Sequence, residues 1–175
     1  MRLTPSLAGP ALGCAVLALT VGLSGCGSPH YSGYKARPYT LRGVHYTPIP
    51  PDLAPGYVEE GTASHYMEGF LIFPGKTAIG EKLWPWSFAG AHKTLPLPCR
   101  VRVTNLRNGR STVIRINDRG PYIDDRVLDV TTPVAKKLGF HREGLAPVRI
   151  EVLSVGDGRW KITRPSVRVV RAVPL

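Results

Sequence analysis

Hydrophobic and polar residues alternate with a period of two in several short runs of the chain. One run covers residues 101–104, where two valines alternate with Arg102 and Thr104. The other covers residues 112–117, where Thr112, Ile114 and Ile116 alternate with Val113, Arg115 and Asn117. Such alternation is typical of strands with one buried face. The dipeptide Asn108-Gly109 between the runs favours a tight hairpin turn, because both residues tolerate positive φ angles. The pattern therefore predicts an antiparallel strand pair here.

Further elements are predicted on both sides of this hairpin. Strands are expected over residues 59–66, 127–130 and 148–152, and a short helix is expected to begin at a cap on Thr132 and to end at Gly139. About six short strands with closely spaced turns favour an all-β fold. A small closed barrel, covered at one end by the helix, would leave no exposed sheet edge. No internal repeat or second domain is predicted.

The chain divides into four predicted segments. Residues 1–25 have the charge, length and apolar stretch of a signal peptide, and Leu23-Ser24-Gly25-Cys26 resembles a bacterial lipobox, which predicts lipidation of Cys26. An ordinary secretory signal with a chance cysteine is the alternative. Residues 26–56 are rich in Pro, Gly and Tyr and are expected to form a tether and lead-in. The barrel is expected over 57–153, and 154–175 form a basic tail or an extra hairpin.

The net charge of +11 indicates an anionic partner, such as nucleic acid, acidic lipid or an anionic cell-wall polymer. Nucleic acid is disfavoured because the cations are scattered and no zinc finger, RNA-binding aromatic signature or basic helix accompanies them. Cys99 has no obvious partner and is expected to be a buried free thiol. The five histidines lack metal-ligand spacing, so neither a metal nor another cofactor is predicted.

The second run of the hairpin ends in Asp118-Arg119-Gly120-Pro121, where Gly allows unusual backbone angles and Pro ends the hydrogen-bonded ladder. Asp118 is therefore expected at the rim of the sheet, in a fixed position. On residue type alone, the more ordinary interpretation is that Asp118 bonds the turn backbone or pairs with a neighbouring arginine.

Glu81 and His92 also stand beside turn-forming or proline-bearing sequence. Two carboxylates and an imidazole suit cleavage of a glycosidic bond, which needs a proton for the leaving oxygen and stabilisation of an oxocarbenium-like charge. The aromatic residues near Trp84 could stack on sugar rings or raise a carboxyl pKa by desolvation. The alternatives are core packing for the tryptophans and a structural role for His92.

Several motifs, in one order, resemble the RlpA (rare lipoprotein A) family. The motifs are Gly61-Thr-Ala-Ser64 with Tyr66, Thr77-Ala-Ile-Gly-Glu81, Ala91-His-Lys-Thr-Leu-Pro96, Val101-Arg-Val-Thr-Asn-Leu106, Asn108-Gly-Arg110 and Asn117-Asp-Arg-Gly-Pro121. The family consists of bacterial lipoproteins with a double-psi β-barrel related to expansins. The resemblance therefore implies a six-stranded double-psi β-barrel.

The resemblance also implies lytic transglycosylase activity on peptidoglycan glycan strands. In that reaction the β-1,4 bond between N-acetylmuramic acid (MurNAc) and N-acetylglucosamine (GlcNAc) is broken and a 1,6-anhydro-MurNAc end is formed. By position in the motifs, Asp118 is the general acid/base, Glu81 the second carboxylate and His92 a positioning group. Substrate contacts are expected from Tyr66, Thr77, Trp84 and Arg119.

The chain departs from the family pattern in one region. The family has Ser-Trp-Tyr-Gly where this chain has Ser64-His-Tyr-Met67, and it has Asn where this chain has Ile79.

The expected location is the bacterial envelope, with the chain lipid-anchored to the outer membrane and facing the periplasm. Two further hypotheses are a non-catalytic, expansin-like peptidoglycan-binding lipoprotein and a basic periplasmic adaptor for another anionic partner.

Overall fold

Nine strands and one helix follow one another in the part of the chain that the computed structural model describes, residues 35–65, 76–84, 86–123, 125–157 and 161–163. In chain order they are β1 (Tyr39–Leu41), β2 (Val44–Tyr46), β3 (Val58–His65), β4 (Ala89–His92), β5 (Cys99–Asn105), β6 (Ser111–Asp118), β7 (Arg126–Val130), α1 (Thr132–Leu138), β8 (Leu145–Val155) and β9 (Ile162–Thr163). Within these residues, no helix has the length and apolar character needed to cross a membrane.

Six of the strands form a closed barrel in the order β3-β7-β4-β6-β5-β8, and β8 pairs back onto β3. The β3–β7 and β4–β6 pairs are parallel, whereas the other four barrel pairs are antiparallel. Strand β9 adds a short antiparallel pair to β8 beyond the closed ring. The predicted all-β, six-stranded barrel with one short helix is confirmed.

The core fills the barrel with the apolar side of each alternating strand. In β5, Val101 and Val103 are fully buried while Arg102 between them is exposed. In β6, Ile114 and Ile116 are buried in the same way. Cys99 is a buried free thiol, as its isolation in the sequence predicted.

The β5–β6 loop and the start of α1 differ in detail from the predictions. Gly109 adopts the expected positive φ of 70°, but the β5–β6 loop is wider than a two-residue turn, because the N–H of Asn105 donates to the carbonyl of Arg110. The N-cap of α1 is Thr131, not Thr132, since Thr131 is the last residue with extended backbone angles. Gly139 ends α1 at a φ of 75°, as predicted.

Strand β4 was not predicted, although it lies between β6 and β7 in the barrel. Its sequence, Ala-Gly-Ala-His, carries no alternation because all four residues are buried. A Cβ at Gly90 would lie 2.8 Å from the carbonyl oxygen of Asp129, so the close approach of β4 to β7 requires glycine there.

Part of the lead-in packs on the barrel. The backbone of Lys35 exchanges two hydrogen bonds with Leu97, and the hydroxyl of Tyr39 donates to the carbonyl of Lys93 at 2.8 Å. The ring of Tyr39 stacks on Tyr46, which contacts Tyr122 edge-on. This hairpin of β1 and β2 therefore lies next to the loop that follows Asp118.

Candidate functional site

A tight turn at residues 77–81 forms the base of the site. The N–H of Thr77 donates to the carbonyl of Glu81 at 2.8 Å, and the N–H of Gly80 donates to the carbonyl of Thr77 at 2.8 Å. The buried hydroxyl of Thr77 accepts a further bond from the N–H of Glu81 at 3.2 Å. Gly80 has a φ of 85°, which glycine adopts without strain. Thr77 thus holds the backbone of Glu81 in place.

Asp118 is joined to this turn at the end of β6. Its Oδ1 accepts hydrogen bonds from the N–H groups of Ala78 and Arg119, both at 2.8 Å. Burial raises the pKa of the Asp118 carboxyl above its ordinary value, although these two bonds and the nearby Arg119 and Lys35 charges act in the opposite direction. Because Oδ1 is occupied by the backbone, Oδ2 is the oxygen that can carry a proton. Asp118 is therefore fixed in orientation, and its carboxyl holds a proton to a higher pH than an ordinary aspartate does.

The pKa of Glu81 is shifted in the opposite direction. Arg115 binds both of its carboxylate oxygens, one of them at 2.8 Å, and Asn117 Nδ2 donates to Oε2 at 3.1 Å. These hydrogen bonds, led by that from Arg115, lower the Glu81 pKa. The same guanidinium donates to Asp157 at 2.7 Å. A bidentate pair of this kind fixes direction as well as charge, so Glu81 stays ionised.

A β-bulge at Asn117 brings the two carboxylates to one place. The parallel register of β4 and β6 pairs Gly90 with Ile116 and Ala91 with Asp118, which leaves Asn117 as the extra residue. A bulge turns the side chains that follow it, and bulges are common next to active sites. Asn117 therefore points to Glu81 while the next residue, Asp118, points to the N–H of Ala78 in the same turn.

His92 lies inside the molecule and makes three defined hydrogen bonds. Its Nδ1 accepts from the N–H groups of Thr94 and Leu95, at 3.1 and 3.0 Å. Since a backbone N–H only donates, the ring proton is on Nε2, which faces Glu59 at 3.0 Å. That hydrogen bond is the largest contribution to a lowered pKa of Glu59. With 2% of its surface exposed, His92 is placed to position the loop after β4 rather than to contact a substrate.

Arg119 also makes hydrogen bonds to other parts of the protein. Its guanidinium donates to the carbonyls of His92, Leu95 and Lys35, and it lies 5.4 Å from the ring centroid of Tyr39. Burial lowers the pKa of this arginine. Arg119 thus joins the Asp118 loop, the loop after β4 and the lead-in hairpin. This placement suits a positioning role.

The tryptophans are on the surface. Trp84 is 43% exposed and Trp86 is 69% exposed, and their rings stack with centroids 5.1 Å apart. Lys82 Nζ lies 5.9 Å from the centroid of the Trp84 ring. Core packing, the alternative considered for both residues, is therefore wrong. These two exposed rings, three and five residues after Glu81, offer flat apolar faces to a ligand.

Two predicted residues lie outside the described residues, namely Tyr66 and Cys26. The structure brings Asp118, Glu81 and Thr77 together and connects Arg119 and His92 through the loop after β4. Sequence reasoning missed Arg115, Asn117 and Glu59. The positions of Arg115 and Asn117, two apart on β6, were the available signal that both belong to one face.

At one end of the barrel, the arrangement offers a carboxyl group with a raised pKa and a carboxylate that is kept ionised by an arginine. Groups with pKa values displaced in opposite directions are a common sign of separate acid and base roles. Among the described residues, no group of three or more His, Cys, Asp or Glu side chains is placed to hold a metal ion.

Comparison with known proteins places this barrel in a family. The family profile described as lytic transglycolase, a double-psi β-barrel domain, matches residues 58–150. The endolytic peptidoglycan transglycosylase RlpA of Pseudomonas aeruginosa is 47% identical over 123 residues, which is 70% of this chain and 35% of that protein. The RlpA protein of Neisseria meningitidis is 42% identical over 121 residues, 69% of this chain and 49% of that protein.

The RlpA protein of Haemophilus influenzae is 43% identical over 120 residues, 68% of this chain and 41% of that protein. The chain thus spans between about a third and a half of the length of these relatives. The matched region contains the whole turn at 77–81 and the end of β6, and it includes every barrel strand apart from the last part of β8. The chain therefore belongs to the lytic transglycolase family of double-psi β-barrels, which is the family of the RlpA proteins.

Proposed function

We propose that this protein is an endolytic peptidoglycan lytic transglycosylase, with Asp118 as its general acid/base. The observation that carries the proposal is the pairing of two carboxyl groups through one turn, with the pKa of Asp118 raised and that of Glu81 lowered. The names of the relatives support the same activity. The substrate is the glycan strand of peptidoglycan.

The reaction requires two proton transfers through one carboxyl group. Protonated Asp118 donates its proton to the glycosidic oxygen, the bond from MurNAc C1 to that oxygen breaks, and GlcNAc leaves with a free 4-hydroxyl. The MurNAc 6-hydroxyl oxygen then bonds to C1, and the proton of that hydroxyl passes to Asp118, which is thereby protonated again. No water is consumed. Asp118 serves as acid and then as base, which suits a carboxyl whose pKa is raised by burial.

Glu81 stabilises the positive charge that develops on the sugar ring. Its carboxylate is kept ionised by Arg115 and aimed by Asn117, so it needs no reorganisation during the reaction. Trp84 and Trp86 stack on neighbouring sugar rings, and Tyr66 adds a further contact. Thr77, His92 and Arg119 act on the substrate indirectly, by holding the turn and loops around the two carboxyl groups.

The protein acts in the bacterial envelope. A lipid on Cys26 anchors it to the outer membrane, and the barrel faces the periplasm, where the glycan strands are. The lipobox-like Leu23-Ser24-Gly25-Cys26 supports this location. Radiolabelled palmitate should enter the wild-type protein and be absent from Cys26→Ala.

The test of the activity uses the chain from Gly27 onward, incubated with purified sacculi and with peptide-free glycan strands. Mass spectrometry should detect 1,6-anhydro-MurNAc ends. Asp118→Asn should reduce their formation by about 10²- to 10⁴-fold, because it removes the proton carrier while the amide oxygen still accepts from the backbone. Asp52→Asn is the matched control, since Asp52 is exposed before β3, and it should retain activity.

Product formed equally by Asp118→Asn would remove Asp118 from the chemistry. Binding to sacculi without any anhydro product from the wild type would instead support the expansin-like, non-catalytic function. The exposed Trp84–Trp86 pair favours that second function specifically, because stacking on sugars needs no proton transfer.

A further inference from the structure

A group of cations lies at the opposite end of the barrel from Asp118. Strand β6 begins at Ser111 and ends at Asp118, so its two ends are about 23 Å apart. The β5–β6 loop, the end of α1 and the segment before β8 meet at the Ser111 end. They present exposed cations that we call the basic surface: Arg107, Arg110, Lys137 and Arg142.

These cations differ from two arginines on the outside of the barrel. Arg102 pairs with Glu151 at 2.7 Å and Arg149 pairs with Glu60 at 3.3 Å. Within the described residues, no member of the basic surface has such a salt bridge. Two open cavities of about 370 and 420 Å³ lie among them, the first beside Arg142 and the second beside Arg110 and Lys137. The acidic side chain lining these cavities is Glu143, so positive charge dominates.

The end of α1 does not account for these charges. Cations near a helix C-terminus often compensate its free carbonyls. Here the carbonyl of Leu138 already accepts from Asn105 Nδ2 and Asn108 Nδ2, at 3.1 and 3.0 Å, and the N–H of Gly139 donates to the carbonyl of Lys136. Arg107 and Arg142 also lie outside the helix. The positive charge therefore exceeds what the helix terminus requires.

Exposed leucines accompany the cations. Leu106 is 46% exposed and Leu145 is 42% exposed, and Arg107 Nη1 donates to the carbonyl of Leu145 at 3.3 Å. The apolar members of this surface are thus aliphatic side chains rather than the aromatic rings that stack on sugars. Cations next to exposed aliphatic side chains suit the boundary between lipid headgroups and acyl chains.

We propose that the basic surface binds the phosphate groups of anionic phospholipids, as a second membrane contact independent of any acyl anchor. Each cation near an anionic bilayer adds to the partitioning, and the two leucines enter the headgroup region. The barrel then sits with its Ser111 end on the bilayer. Asp118 lies about 23 Å farther out, pointing away from the lipid.

The test is co-sedimentation of the chain from Gly27 onward, which contains every described residue and no lipidated cysteine. Vesicles of phosphatidylcholine alone are compared with vesicles in which about a third of the lipid is phosphatidylglycerol. We expect binding to the anionic vesicles only, and release at high salt. Lys137→Glu with Arg142→Glu should weaken the binding by about tenfold or more, because each charge near the surface contributes separately.

Arg37→Glu with Arg100→Glu is the matched control, because it makes the same change in net charge with exposed residues at the Asp118 end. This control should retain binding to within about threefold. Circular dichroism melting of each variant separates loss of binding from loss of fold.

Three outcomes would overturn the proposal. The first is equal binding to both kinds of vesicle. The second is an equal loss in both charge-reversed variants, which would mean that net charge acts without a defined surface. The third is that Lys137→Glu with Arg142→Glu abolishes binding to sacculi and leaves vesicle binding intact, which would assign the surface to a wall polymer. None of these outcomes depends on the transglycosylase activity.

Discussion

Charged side chains have partners at one end of the barrel and lack salt bridges to described residues at the other. At the Asp118 end, each charged side chain of the site has partners: Glu81 with Arg115, Glu59 with His92, and Arg119 with three carbonyls. At the Ser111 end, the basic surface has cations without salt bridges to described residues. Paired charges fix geometry and shift pKa values, whereas unpaired charges produce a long-range field. The Asp118 end is thus suited to acid–base chemistry, and the Ser111 end is suited to electrostatic attraction of an anionic partner.

Among changes to the paired charges, breaking the Arg115–Glu81 pair should have the largest effect. Arg115→Ala removes both the direction and the charge stabilisation of Glu81, and we expect a loss of about 10- to 100-fold in the rate of anhydro-product formation. The Glu81 pKa should return upward toward its ordinary value, because Arg115 now lowers it. The acidic limb of the pH–rate profile should therefore move to higher pH.

Arg115→Lys and Arg102→Ala serve as comparisons. Lysine keeps the charge but cannot form the bidentate pair, so the rate should fall while the acidic limb moves less. Arg102 forms an exposed pair with Glu151, and Arg102→Ala should leave the rate unchanged. An unchanged profile in Arg115→Ala would show that Glu81 does not act as an anion.

The lead-in hairpin distinguishes the two ends in a second way, because it packs on the Asp118 end. Tyr39→Phe removes the hydrogen bond to the carbonyl of Lys93 and should lower the free energy of unfolding by about 1 kcal/mol in urea titration. Tyr46→Phe is the control, because the Tyr46 ring stacks but its hydroxyl makes no hydrogen bond to a described residue, and this change should be neutral. No loss of stability in Tyr39→Phe would mean that ring packing alone holds the hairpin.

The smallest expected effect is a change in the melting temperature of Asp118→Asn that depends on pH. The Asp118 pKa is raised by burial in the folded state, so its stabilising contribution is complete below the unfolded pKa and is lost as pH rises through the folded pKa. Asp118→Asn cannot ionise and should melt at a higher temperature than the wild type near pH 7. That gain should disappear near pH 3. A gain of equal size at both pH values would contradict a raised pKa.

Much of the barrel was predictable because alternation marks strands with one buried face. Strands β5, β6 and β8 have this pattern, and their pairing partners confirm it. Strand β4 has no such pattern, since Ala and Gly are buried on both sides. Its place between β6 and β7 depends on contacts of the assembled barrel. A sequence read in local windows does not contain that information.

The site was predictable to the extent that turn signals marked it. Asp118 and Glu81 stand next to glycines that form turns, and the structure joins them through residues 77–81. The roles of Arg115 and Glu59 depend on partners more than thirty positions away. The one-residue bulge at Asn117 arises from the register with β4, so it was not visible in β6 alone.

The closure of the barrel by β8 has a consequence for folding kinetics. Strand β8 pairs with β5 on one edge and with β3 on the other, and the β3–β8 register joins Val58 to Glu151 and Ser64 to Leu145. The β5–β6 hairpin is local and can form early, whereas the β3–β8 contacts close long loops and form slowly. During synthesis, β3 has an open edge until the residues of β8 from Leu145 to Glu151 are available. We therefore expect barrel closure to limit the folding rate, and we expect the open edge of β3 to be the point at which newly synthesised chains are most exposed to aggregation.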